Sequence, residues 1–163
     1  MRVLGIDPGL AIVGYGIIDH VGSQMKVVDY GKIITTPDER FPTRLSGIYH
    51  AIKVILERYE PDAVAIEELF FAKNVTTGIQ VGHARGVLVL AANEYGVDLY
   101  EYTPKQIKQA ITGYGAADKK QMQQMTKLLL GLEEVPKPDD VADALAVAIA
   151  HGQTGAFSEE FRI

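Results

Sequence analysis

RVLGIDPGLAIVGYGIID, residues 2–19, decides the fold, because an apolar strand ends there on a charge and the chain turns straight back. Period-two alternation puts Val3, Gly5 and Asp7 on one face of the first segment, with Leu4 and Ile6 on the other. The connection PGLA is short, so IVGYGIID (12–19) is expected to run antiparallel beside RVLGID (2–7). A second reversal at HVGSQ brings back MKVVDYGKIIT (25–35) as the third strand of a meander. An isolated Asp-Pro-Gly is a turn whose carboxylate caps its own backbone. Whether Asp7 is more than that depends on what the rest of the chain brings to it.

Outward from the meander, Leu45, Ile48, Ile52, Ile55 or Leu56, and Tyr59 have the spacing of a helix with one buried face, over about 43–59. Pro61 ends it. DAVAIEE (62–68) then reads as a fourth strand, parallel to the first because a helix separates them. Its alternation groups Ala63, Ala65 and Glu67 against Val64, Ile66 and Glu68. Two strands therefore end in a carboxylate at their C-terminal edge, where open α/β sheets bind ligands. A long helix follows over about 76–95, then VDLYEY (97–102) as a fifth strand. Next come two basic helices, the first capped by Thr103 with Pro104 in its first turn, the second stopped by Gly131. The last helix starts at KPDD with a buried stripe at Val141, Ala144, Leu145, Ala148 and Ile149, and a short tail begins at about 153.

At 163 residues, 47% of them hydrophobic, the chain suits a single α/β domain over 1–163 that needs no disulfide. There is no cysteine, and nothing at the N-terminus resembles an export segment, so a cytoplasmic location is expected. The longest strongly apolar run, GVLVLAA at 86–92, is far short of the roughly 20 residues that span a bilayer. The net charge is -5, yet residues 69–127 hold seven basic side chains against four acids. Such a block could follow phosphates, but charge alone favours ordinary solvated surface.

Further acids lie in the last helix. Asp140 and Asp143 are three apart and project from one side, although an Asp139 and Asp143 pair at i, i+4 is also possible. Acids in a first helical turn complement the helix dipole, which explains Asp139 and Asp140 but not Asp143, one turn further in. Four carboxylates gathered without a cation would raise one another's pKa. With no cysteine and four histidines in no zinc-type pattern, a hard oxygen-seeking ion is the natural counter-charge: Mg2+, with Mn2+ able to substitute. Two such ions about 4 Å apart can activate a water on one side of a phosphodiester and stabilise the leaving oxygen on the other.

GIDPG (5–9), AIEELFFAKN (65–74) and DDVADALAVA (139–148), with GHARG (82–86) and KQIKQAITGYGAADKKQ (105–121) between them, resemble the RuvC family of Holliday junction resolvases over nearly the whole chain. The resemblance implies a ribonuclease H-like fold with a five-stranded mixed sheet flanked by helices. It also implies a homodimer that nicks four-way junction DNA symmetrically by magnesium-dependent hydrolysis, leaving a 5′-phosphate and a 3′-hydroxyl, in recombination and repair. The family's catalytic and metal-binding quartet falls on Asp7, Glu67, Asp140 and Asp143, the DALA register choosing Asp140 over Asp139. Glu68 and Asp139 are extra acids, and Glu68 is expected to point away from the metals. Phe70 matches an aromatic that contacts unstacked bases, and Lys108 and Lys119 match basic positions near the scissile phosphate. A partnership with the branch-migration proteins RuvA and RuvB is implied as well.

Gly78, Gly82 and Gly86, spaced by four in a helix apolar nearly all round, suggest a close approach of another backbone, and together with the resemblance they point to a twofold mate. Two other classes compete. An actin- or Hsp70-like ATPase also follows a strand with a GID acid but needs two lobes, and a junction-binding module would lack catalysis.

Overall fold

The computed structural model describes residues 1–69 and 74–163. Its elements are β1 (Arg2–Asp7), β2 (Ile12–Val21), β3 (Gln24–Ile34), α1 (Phe41–Tyr59), β4 (Ala63–Glu67), α2 (Val75–Tyr95), β5 (Asp98–Tyr102), α3 (Pro104–Thr112), α4 (Lys119–Leu129) and α5 (Asp139–Thr154). The strands form one sheet in the order β3-β2-β1-β4-β5. The meander is antiparallel, while β4 pairs in parallel with both β1 and β5, as the intervening helices require.

Strand parity decides what each face buries. Leu4, Ile6, Val64 and Ile66 pack with Ile48, Ile52 and Leu56 of α1 and with Ala84 and Leu88 of α2. Val3, Ala63, Ala65 and Tyr102 pack on the other face, against Leu145 and Ile149 of α5 and Ile107 and Ile111 of α3. Asp7 and Glu67 share the parity of this second group, so the sheet presents both acids to the side that carries α5.

Glycines let α5 come unusually close. A Cβ on Gly5 would stand 2.1 Å from the carbonyl oxygen of Ala144, and one on Gly14 2.0 Å from that of Asp140. At Gly16 it would meet the Leu145 side chain at 2.5 Å. No side chain fits at Gly5 or Gly14, because the atoms in the way are helix backbone. Asp7 and Gly14 are partners in the β1–β2 ladder, so the Gly14 contact sets the start of α5 beside Asp7.

Helix ends follow their local chemistry. Thr103 and Asp118 each close a capping box, with Gln106 and Gln121, at the starts of α3 and α4. Before Pro61, α1 already ends at Glu60, which takes φ 46° and bonds back to the Leu56 carbonyl. The segment after α5 is folded: Gly155–Phe161 forms a 3-10 helix, Arg162 bridges to Tyr100, and the Ile163 amide donates to the Leu99 carbonyl at 3.0 Å. That segment covers part of the β5 edge.

The α2 glycines behave differently from those under α5. A Cβ on Gly82 would reach only the Leu69 side chain, at 3.3 Å, and one on Gly86 would meet nothing within 4 Å. Val75, Ile79 and Leu90 of the same helix are exposed. Within one chain α2 is therefore not covered on every side, and the close approach expected at Gly86 is not made by this subunit.

Candidate active site

The two strand-end acids and the helical acids meet at the C-terminal edge of β1 and β4, under the first turns of α5. Asp7 is half-buried, and its pKa is pushed up to about 8, first by burial and then by Asp143, Glu67 and Asp140. Glu67 is pushed up to about 7 by burial and by Asp143, against the lowering effect of Lys108 and Lys119. Asp143 is also raised, by burial, with Lys119 opposing. Carboxyls that press on one another in this way sit around a common space. Asp143, Glu67 and Asp140, all three expected beside Asp7, are thus near enough to act on its charge.

The fifth acid behaves otherwise. Asp139 is exposed, and its Oδ2 lies 2.9 Å from Lys119 Nζ while Gln123 donates to its Oδ1 at 3.1 Å. The ammonium bond holds the Asp139 carboxyl below its usual range. Lys119 also lies 3.8 Å from Asp143. The two neighbours thus differ: Asp139 binds a lysine of α4, and Asp140, not Asp139, is among the acids that raise Asp7. Glu68 acts on Arg85 of α2, on the opposite side of the sheet, and Arg85 pairs with Glu101 of β5.

Beside the acids lies a cavity of about 300 Å³ lined by Glu67, Asp143, Lys108, Lys119, Ile107 and Met122, among others. Both lysines expected near the phosphate thus border the acidic cluster. Phe70, expected to contact bases, and Phe71 lie outside the described residues.

The donor set suits a hard divalent cation. It offers only carboxylate oxygens, and burial raises the Asp7 and Glu67 carboxyls, a cost that a bound cation would offset. Among the described residues no three such side chains stand close enough to enclose one ion, so the acids border a shared space and do not form a closed cage. Sequence reasoning assigns nothing to Gly14 and Gly16, yet glycine at alternate positions of a central strand is a signal of close backbone approach.

A five-stranded mixed sheet with acids at its C-terminal edge and a helix laid across its glycines defines a ribonuclease H-like domain. The family model for "Crossover junction endodeoxyribonuclease RuvC" matches residues 3–151. The protein of that name from Brevibacillus brevis is 60% identical over 157 residues, which is 96% of this chain and 95% of its own. That from Alkaliphilus oremlandii is 59% identical over 163 residues, covering 100% of this chain and 99% of its own. Thermus thermophilus RuvC, solved in complex with Holliday junction substrate, superposes with a TM-score of 0.94 at 35% identity, covering 100% of this chain and 99% of that one. The chain belongs to the RuvC family of crossover junction endodeoxyribonucleases. None of its described helices is long and apolar enough to cross a membrane.

Proposed function

We propose that this chain resolves Holliday junctions by hydrolysing one phosphodiester in each of two opposed strands, with Asp7, Glu67, Asp140 and Asp143 as its catalytic, metal-binding residues. The observation that carries the reading is that Glu67 and Asp143 line one cavity with Lys108 and Lys119, while Asp143, Glu67 and Asp140 all raise the Asp7 carboxyl beside them. Two Mg2+ ions held there, or Mn2+ in their place, would polarise the scissile phosphate and help to activate the attacking water. Asp7 and Glu67, on neighbouring strands, fix one side of that space, and Asp140 and Asp143, on α5, the other. One of the helical pair also orients the water. Lys108 and Lys119, at the rim, hold the scissile or adjacent phosphate, and Phe70 stacks on unpaired bases near the crossover. Belonging to a junction endonuclease family supports the substrate, and the open, glycine-bearing face of α2 supports a homodimer. A cytoplasmic enzyme that works with RuvA and RuvB is the setting this implies.

The test is a nicking assay on a synthetic four-way junction and on linear duplex, with magnesium and then with EDTA. Paired nicks on the junction with magnesium alone support the proposal. Equal cutting of both substrates, or cutting in EDTA, contradicts it.

A further inference from the structure

We propose that Thr35, oriented by Arg44, is a positioning residue for Asp7, acting through the turn that follows β1. This inference rests on the reading that Asp7 binds a divalent cation.

Thr35 lies just beyond β3 and is 6% exposed. Its hydroxyl donates to the Leu10 carbonyl at 2.5 Å and accepts from Arg44 Nε, near the start of α1, at 2.8 Å. Its backbone amide donates to the Ala11 carbonyl at 3.0 Å. One residue thus satisfies two successive carbonyls of the 8–11 turn. The direction of the chain is forced: a guanidinium nitrogen can only donate, so the hydroxyl must turn its proton toward Leu10. Bonds in such a series polarise one another.

The turn has little slack. A Cβ at Gly9 would stand 2.2 Å from the Ile12 carbonyl oxygen, and Leu10 is buried in the core. On its β1 side the last ladder pair is Asp7 with Gly14. On its β3 side the brace is Thr35. Loss of the hydroxyl leaves the Leu10 carbonyl buried without this donor, and the turn has to move to find another. Asp7 is where that movement enters β1. Partners that orient metal ligands from outside are typically worth about 10-fold or more in affinity or activity.

The experiment compares Thr35→Val, Thr35→Ser and Arg44→Met in the full chain. Manganese binding is followed by electron paramagnetic resonance of the free ion, nicking under single-turnover conditions, and junction binding in EDTA. Thr35→Val should raise the manganese midpoint and slow nicking, each by about 10-fold, with junction binding in EDTA unchanged. Thr35→Ser should restore both, and Arg44→Met should shift them the same way by less. If Thr35→Val does not fold, Arg44→Met and the manganese midpoint decide. The inference is overturned if the valine variant melts earlier yet keeps both midpoint and rate within about twofold of the parent, since the hydroxyl would then serve stability alone. It is also overturned if the parent binds no manganese. A parent that binds manganese but nicks no junction sinks the functional reading only, and the manganese midpoints still judge the clamp.

Discussion

At Asp7, burial and three neighbouring carboxylates push the same way, and only Lys119 opposes them. A carboxyl raised from its ordinary 3.8 to about 8 weakens the metal-free fold as pH rises between those values, and fully above 8. Asp7→Asn should therefore stabilise the metal-free protein at pH 8 by at least about 1 kcal/mol, a gain that shrinks toward pH 4, as urea titration would register. The same variant should bind junctions and cut none. Intact cutting would remove Asp7 from the chemistry. His151 shifts in the opposite sense. Its ring is buried against Tyr100, its Nδ1 lies 2.8 Å from the Tyr102 hydroxyl, and burial brings its pKa down to about 4. Being depressed, it adds stability that is whole above about 6.5 and is lost as pH falls toward 4. Between pH 7 and pH 5 that loss is about 2 kcal/mol, and His151→Phe should remove this part of the slope. At this scale the sequence was informative about Asp7 and Glu67 because strand parity needs no tertiary knowledge. It left Asp139 and Asp140 open because helical spacing alone does not say that Lys119 waits beside one of them.

Among the elements, α5 does the most to build the site, and its position depends on small residues beneath it. Gly14→Ala would drive a methyl carbon into the Asp140 carbonyl. It should cost about 3 kcal/mol or prevent folding, because backbone is the obstacle and cannot rotate aside. Gly86→Ala, where nothing lies within 4 Å, should instead leave monomer stability unchanged or raise it by about 1 kcal/mol through helix propensity. Thermal melts of the two variants check both. The elements were legible in the sequence because apolar periodicity and turn residues agree along nearly the whole chain. Three features were not. The fit of α5 to Gly5, Gly14 and Gly16 depends on two distant segments meeting, as does the bracing of residues 10 and 11 by Thr35. The polar segment after α5 lacks a strong pattern and takes its shape from docking on β5.

For the whole molecule, the charges and surfaces fall into two regions. The α3 and α4 side carries Lys108 and Lys119 toward the acids, and the outer face of α2 shows Ile79, Gly86 and Leu90. If α2 meets its twofold mate there, Leu90→Glu should shift the protein toward monomer in sedimentation equilibrium while single-chain stability holds, since Leu90 is half exposed already. A dimer that survives this change places the interface elsewhere. Magnesium at pH 8 should raise the melting temperature of the parent and leave Asp7→Asn nearly unmoved, because an ion that binds only the folded state stabilises it. The central claim is that the two strand ends and the first turns of α5 hold hard cations between their carboxylates. Anomalous diffraction from crystals soaked in manganese tests it most directly: the account predicts density bordered by Asp7, Glu67, Asp140 and Asp143, and a map with manganese only at other residues would contradict it.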